Sequence, residues 1–264
     1  MASKTLRYVY GPVSSWRLGV SLGIDPLGTR RKQCSFDCRY CQLGPTKAYA
    51  LRRRVYVKTA DIAGELARVA DVRVDAITFA GNGEPTLAKN LGQIIRAIKK
   101  MRAEPVVVIT NAALFSRAAV RRAAALADEV IAKLDAPTPE MLQAVNHPAA
   151  EITFARLLRG LRLFRAEYRG KFSVQLMFVA ANRAAAPALA DLCRQLRPDE
   201  VQLNTPLRQC ACRPLPPAEL SRLRKYFQGM RTRLVYEGRR TPVRPFDEAQ
   251  TARRHGKTVW PKRR

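Results

Sequence analysis

The chain has 264 residues, 47% of them hydrophobic and 26% charged, and it contains no apolar run long enough to cross a membrane. Lys and Arg number 48 against 21 Asp and Glu, and the resulting net charge of +27 favours a polyanionic partner, most often nucleic acid. Because the first residues lack a signal-peptide core, we expect a cytoplasmic protein whose six cysteines stay reduced, which argues against a disulfide scaffold.

Six short apolar runs alternate with amphipathic helical segments, as is typical of buried parallel strands and their crossover helices. The predicted strands cover residues 20–25, 75–80, 106–110, 130–135, 173–179 and 200–204. Six strand–helix units predict a parallel sheet that is too small to close as an eight-stranded barrel. We therefore predict an α/β fold in which residues 1–240 form an open, partial (β/α)6 barrel and residues 241–264 form a short basic C-terminal tail.

Three cysteines follow the first predicted strand with the spacing C-x3-C-x2-C: Cys34, Cys38 and Cys41. Three thiolates on one loop can ligate three irons of a [4Fe–4S] cluster and leave the fourth iron open for chemistry. A structural zinc site normally has four ligands, and the two histidines of the chain are far away in sequence. The spacing therefore predicts an iron–sulfur cluster.

This spacing, with the aromatic Tyr40 just before the third cysteine, resembles the signature of the radical SAM superfamily. The resemblance implies a radical SAM barrel in which the open iron binds S-adenosylmethionine, and Tyr40 is assigned to the cofactor site. It also implies that an electron from the cluster cleaves S-adenosylmethionine to a 5′-deoxyadenosyl radical. An electron donor such as flavodoxin or ferredoxin would be required. The protein would bind, orient and shield that radical, while the cofactors supply the reactivity.

Polar residues at the ends of the later strands extend the resemblance. Gly81, Gly83 and Glu84 follow the second predicted strand and resemble the family's GGEP segment, in which a carboxylate accepts hydrogen bonds from the ammonium of S-adenosylmethionine. Taken alone, Gly-Asn-Gly is equally a turn. By the same resemblance, ribose, adenine or substrate is bound by Asn111, Lys133, Asp135 and Asn204. Each of these four is also compatible with a cap or turn role.

Residues 10–25 and 203–206 narrow the resemblance to a branch related to the tRNA wyosine-base synthases, over nearly the whole chain to about residue 215. Beyond the last predicted strand, Cys210 and Cys212 are candidate catalytic residues. They would share a second cluster, carry a transferred group or quench a substrate radical, and an inert loop pair is the alternative. Cys193 lies on an apolar helical face and is predicted to be a core thiol.

Three functions are compatible with the sequence. The first is a radical SAM enzyme that modifies an RNA base, in tRNA or rRNA. It is favoured by the two basic segments at residues 30–58 and 251–264, although a GC-rich genome would also enrich arginine. The second is the same chemistry on a protein, peptide or small metabolite. The third is a non-enzymatic iron–sulfur sensor that binds nucleic acid and needs no pocket for S-adenosylmethionine.

Overall fold

In the computed structural model, which describes residues 6–256, eight strands form one sheet in sequential order. The strands are β1 (Val9–Ser15), β2 (Gly19–Ile24), β3 (Ala76–Phe79), β4 (Val106–Thr110), β5 (Glu129–Lys133), β6 (Lys171–Met177), β7 (Glu200–Asn204) and β8 (Thr232–Leu234). β1 is antiparallel to β2, and each later pair of neighbours is parallel. Because β1 and β8 are the two edges of the sheet, the strands form an open half-barrel.

In the described chain, seven helices lie in the connections between the parallel strands, and the eighth follows β8 and packs against β1. They are α1 (Thr59–Ala67), α2 (Leu91–Met101), α3 (Ala118–Ala124), α4 (Pro139–Asn146), α5 (Phe154–Glu167), α6 (Ala186–Leu196), α7 (Pro217–Leu223) and α8 (Glu248–His255). α2 shows why they form, since Leu91, Ile94, Ile95 and Ile98 recur at helical spacing and are all buried. Among the described residues, no helix has the length and apolarity needed to span a membrane.

The predicted α/β half-barrel is confirmed, and all six predicted strands are present within two residues at each end. Two strands were not predicted. β1 contains Gly11-Pro12 and a register shift between Tyr10 and Val13, so it lacks the regular apolar pattern of the others. β8 has only three residues. Cys193 is fully buried on α6, which confirms its prediction as a core thiol.

Part of the predicted basic tail is a packed helix. In α8, the guanidinium of Arg254 forms an ion pair with Asp25 at 3.0 Å, and both residues are buried. Thr251 Oγ1 accepts a hydrogen bond from the backbone N–H of Gly11 in β1. Removing α8 would leave Asp25 as an uncompensated buried charge, which is strongly destabilising. The rest of the tail, residues 257–264, lies outside the described residues, and the division at residue 240 stays a prediction.

Candidate active site

The segment after β3 supports the chain that leads into the first cysteine. The backbone N–H of Glu84 donates to the carbonyl of Gln33 at 2.9 Å, and the N–H of Gln33 donates to the carbonyl of Asn82 at 2.9 Å. Gly83 has a φ of +141°, and a Cβ at this position would lie 1.7 Å from the carbonyl oxygen of Gln33. The close approach of the two backbones therefore requires glycine at residue 83.

The three cysteines of the loop are half-buried free thiols held by a hydrogen-bonded backbone. The N–H of Cys41 donates to the carbonyl of Cys38 at 2.9 Å, and the N–H of Ala50 donates to the carbonyl of Cys34 at 2.9 Å. Two side-chain amides approach the sulfur atoms: Nδ2 of Asn111 lies 3.6 Å from Cys34 Sγ and Nδ2 of Asn146 lies 3.4 Å from Cys38 Sγ. Such N–H donors stabilise thiolate ligands and tune a cluster.

The donor set of this loop fits a [4Fe–4S] cluster with one open iron. Burial raises the pKa of Cys38 to about 11 and shifts that of Cys34 further in the same direction, so both are thiols without a cation. In residues 6–256, no three His, Cys, Asp or Glu side chains already converge at metal-binding distance. Metal binding and the loss of the thiol protons are coupled, so neutral thiols are compatible with a cluster. The ligand assignment rests on the three sulfur donors of this one loop.

A cavity of about 280 Å³ occupies the inside of the half-barrel, and we call it the lumen. Its lining includes four residues of the predicted site, which are Cys41 of the metal loop together with Tyr40, Lys133 and Asn204. Inward-facing side chains of the strands, such as Thr78 and Gln175, line it as well. The structure therefore brings one predicted ligand and three predicted cofactor residues to one space.

A buried network fixes Tyr40 beside the cysteine loop. Its hydroxyl donates to Asp135 Oδ2, and Nδ2 of Asn146 lies 2.9 Å from both oxygens. Lys133 Nζ is 3.4 Å from Asp135 Oδ1 and 4.8 Å from the centre of the Tyr40 ring. Burial, with Asp135 adding to it, raises the pKa of Tyr40 well above its ordinary value. Asp135 thus acts as a positioning residue, and Asn146 is a member of the site that the sequence did not single out.

Glu84 is held by the protein itself and lies outside the lining of the lumen, as do Gly81, Gly83 and Asn111. Its buried carboxylate accepts hydrogen bonds from Thr86 N at 3.0 Å, Thr86 Oγ1 at 2.6 Å, Thr110 Oγ1 at 2.7 Å and Asn111 N at 2.8 Å. Three of these donors contact Oε1 and one contacts Oε2, so the chain itself supplies most of the hydrogen bonds that this carboxylate can accept. In this arrangement Glu84 organises the turn behind Cys34.

These contacts predict a large loss of stability for Glu84→Ala. Four buried donors would lose their acceptor, and we expect the free energy of unfolding to fall by about 3 kcal/mol, measured by urea denaturation. Glu84→Gln, which keeps one oxygen acceptor, should lose less. If Glu84→Ala instead kept wild-type stability and bound S-adenosylmethionine more weakly, the carboxylate would face the cosubstrate, as the resemblance implies.

Cys210 and Cys212 lie next to the cysteine loop. Cys210 lines a cleft together with Cys38, Cys41 and His147, and both candidate cysteines pack against the apolar cluster that contains Tyr40. The thiol of Cys210 is 3.2 Å from the carbonyl oxygen of Cys212, and both residues are half-buried. Their catalytic role stays a prediction, since the geometry shows proximity to the loop without a reaction partner.

Four basic residues that line the lumen were not singled out from the sequence as site residues: Arg17, Arg208, Arg240 and His255. Burial lowers the pKa of Arg17 and of Arg208 to about 10, and burial together with the nearby arginines lowers that of His255 to about 3. His255 is therefore neutral and accepts a hydrogen bond from Arg208 at 3.0 Å. These residues are far apart in sequence and meet only because the segments after β7 and β8 return to the open side of the half-barrel.

Comparisons with known proteins agree with this geometry. A UPF0026 protein from Synechocystis is 45% identical over 205 residues, which are 77% of each chain. The fold is similar to SuiB of Streptococcus suis bound to S-adenosylmethionine, with a TM-score of 0.60 and 15% identity over 78% of this chain and 48% of SuiB. It is also similar to archaeal TYW1, with a TM-score of 0.56 and 13% identity over 80% and 72% of the two chains. At these identities, the structural likeness shows the fold.

The family model of the radical SAM superfamily matches residues 32–182, which is more than half of the chain and includes all three loop cysteines. It confirms the resemblance of the C-x3-C-x2-C loop, and with it a [4Fe–4S] cluster and S-adenosylmethionine as the cofactors. The half-barrel, the loop and the match agree, and the chain belongs to the radical SAM superfamily of S-adenosylmethionine-dependent enzymes.

Proposed function

We propose that the protein uses the radical chemistry of its family to modify a base of RNA, in tRNA or rRNA. The observation that carries the proposal is a group of exposed cations on the segment that contains the cysteine loop. They are Arg30, Arg31, Arg39, Lys47, Arg52, Arg54 and Lys58. The only acid between residues 30 and 58 is Asp37, which pairs with Lys32 at 3.5 Å and accepts from the N–H of Thr46 at 2.6 Å. The cations are thus available to phosphates.

The site residues suit chemistry on a base that has left its stack. When bound, the cluster and S-adenosylmethionine supply a radical that abstracts a hydrogen atom. The lumen shields the reacting groups from water, and the Asp135–Asn146 pair holds the Tyr40 ring in a fixed position. Enzymes that act on a base generally extrude it into such a pocket. The proposed location is the cytoplasm, with flavodoxin or ferredoxin as the electron donor.

A small substrate is the second candidate, and the size of the lumen favours it. The cavity of about 280 Å³ that Arg208, Arg240 and His255 help to line suits a free small molecule as well as a single extruded nucleotide. The sensor hypothesis loses support, because Tyr40, Lys133 and Asn204 line a pocket that a sensor does not need.

Salt dependence tests the RNA proposal. For a single strand, each phosphate contact contributes a log–log slope of about −0.7, so about five contacts lose on the order of a hundredfold in affinity when salt rises about fourfold. Replacing Arg52 and Arg54 with Gln should flatten the slope by about 1.4. Arg53 is left in place because it donates to the carbonyls of Thr86 and Ala88.

The matched control replaces two exposed cations of α2, Arg96 and Lys100, and should leave the slope unchanged. Binding of tRNA and of rRNA fragments is measured by filter retention, and modified bases are sought by mass spectrometry after anaerobic turnover. A wild-type slope near zero, together with unmodified RNA, would reject the proposal in favour of a small substrate.

A further inference from the structure

Three guanidinium groups meet at the lumen without an acidic partner. Arg17 comes from the turn between β1 and β2, Arg208 from the segment after β7, and Arg240 from the segment after β8. No Asp or Glu is present among the described residues that line the lumen. Since these arginines come from separate parts of the chain, the fold itself concentrates positive charge at this place.

The acids nearest to Arg17 are already engaged. Glu129 accepts a hydrogen bond from Ser173 Oγ at 2.6 Å and pairs with Lys171 at 3.1 Å. Glu200 accepts from Gln202 at 2.9 Å and pairs with Arg233 at 3.3 Å. The guanidinium of Arg17 is left with Gln202 Oε1 at 3.4 Å as its polar contact, and its Nε is buried without a partner. A half-buried cation with a buried, unpartnered Nε is costly unless an anion compensates it.

Several polar atoms of the lining residues are buried without a hydrogen-bond partner. Besides Arg17 Nε, the hydroxyl of Ser14 and the amide Nε2 of Gln175 are buried without a partner. Arg208 uses neutral acceptors only, the carbonyl of Gly256 at 3.0 Å and Nε2 of His255 at 3.0 Å. Burial lowers the pKa of Arg208, and the nearby charge of Arg240 adds to the effect. A ligand rich in anionic oxygens would satisfy all of these groups.

We propose that Arg17, Arg208 and Arg240 form an anion subsite of the lumen that binds a phosphate group of the substrate, which under the proposed function is a nucleoside phosphate. Guanidinium groups match the geometry of phosphate oxygens and bind them through paired hydrogen bonds. Under the proposed function the phosphate belongs to an RNA nucleotide, and this part of the inference rests on that function. A free nucleotide carries the same phosphate group.

Trp16 provides a built-in reporter, because it lines the lumen and its ring centre lies 5.1 Å from the Arg17 guanidinium. The chain has two tryptophans, and Trp260→Phe removes the other signal. Reconstituted Trp260→Phe protein is titrated anaerobically with uridine 5′-monophosphate, uridine and a short oligouridylate. We expect saturable binding of the monophosphate, at least roughly tenfold tighter than that of uridine, which lacks the charge.

Arg17→Gln, Arg208→Gln and Arg240→Gln should each weaken binding of the monophosphate by roughly ten- to a hundredfold and leave uridine binding unchanged. The side chain of Arg240 is exposed, so its replacement tests the proposal without disturbing the core. Arg159→Gln, an exposed site on α5, is the matched control and should have no effect.

Two results would overturn the proposal. One is the absence of saturable binding of both phosphorylated probes to the Trp260→Phe protein, or affinities that the three substitutions leave unchanged. The other is a matching loss of S-adenosylmethionine affinity in the variants, which would assign the arginines to the cosubstrate. If the monophosphate binds through the arginines while RNA stays unmodified, the subsite stands with a free nucleotide as its ligand and the RNA function fails.

Discussion

Replacing Cys34, Cys38 or Cys41 singly with Ala is expected to abolish both the brown absorbance of the anaerobically reconstituted protein and the formation of 5′-deoxyadenosine. Each substitution leaves one iron without its thiolate ligand, and Asp37, the acid of the loop, is engaged by Lys32 at 3.5 Å and by the N–H of Thr46 at 2.6 Å. Their shared position on one hydrogen-bonded loop means that no single cysteine is redundant. The readouts are iron content, visible absorbance and chromatographic assay of 5′-deoxyadenosine.

Cys193→Ala is the control, because this thiol is fully buried on α6. It should retain iron and cleavage activity. The double substitution of Cys210 and Cys212 adds a second comparison: an unchanged iron content would exclude an auxiliary cluster at this pair, whereas a fall by half would indicate one. A single alanine variant of the loop that stays fully active would remove the ligand assignment.

Gly83→Ala is expected to lose iron although all three cysteines remain. The added Cβ would overlap the carbonyl oxygen of Gln33, and the φ of +141° is strained for any residue with a side chain. The backbone that leads into Cys34 must then move away from residue 83. We expect the free energy of unfolding to fall by about 3 kcal/mol or more and the iron content after reconstitution to fall with it.

Gly44→Ala is the matched control within the same loop. Gly44 also has a positive φ, +77°, but a Cβ there has no atom within 4 Å. It should therefore cost only the backbone strain, about 1 kcal/mol, and keep its iron. Equal iron content and stability of the two variants would show that the contact between residues 33 and 83 does not position the loop.

The sequence predicted the strands whose side chains are buried on both faces. A parallel strand that is covered on both faces needs apolar residues throughout, and an uninterrupted run such as residues 106–110 shows this directly. The cysteine loop was equally accessible, since its ligands are close in sequence. β1 escaped prediction because its pattern is broken by Gly11-Pro12, and an edge strand tolerates that break.

The roles of individual polar residues depended on contacts that no spacing records. Glu84 is assigned to the cosubstrate by resemblance, which stays a prediction, and in the folded chain its carboxylate accepts hydrogen bonds from Thr86, Thr110 and Asn111. Arg53 is half-buried against backbone carbonyls, so its charge is partly structural. The arginines of the lumen come from three connections between strands, and only the folded chain shows that they share one space.

The packing of α8 has a consequence for how the protein is made. Arg254 reaches Asp25 across 229 residues of chain, so this ion pair cannot form until synthesis has passed residue 254. The cysteine loop leaves the ribosome far earlier, since chains emerge and begin to fold from the N-terminal side. Until the later segments arrive, the lumen lacks the part of its lining that Arg208, Arg240 and His255 provide. The helix that packs against β1 is therefore the last described element to join the sheet, and Asp25 has no cationic partner until it does.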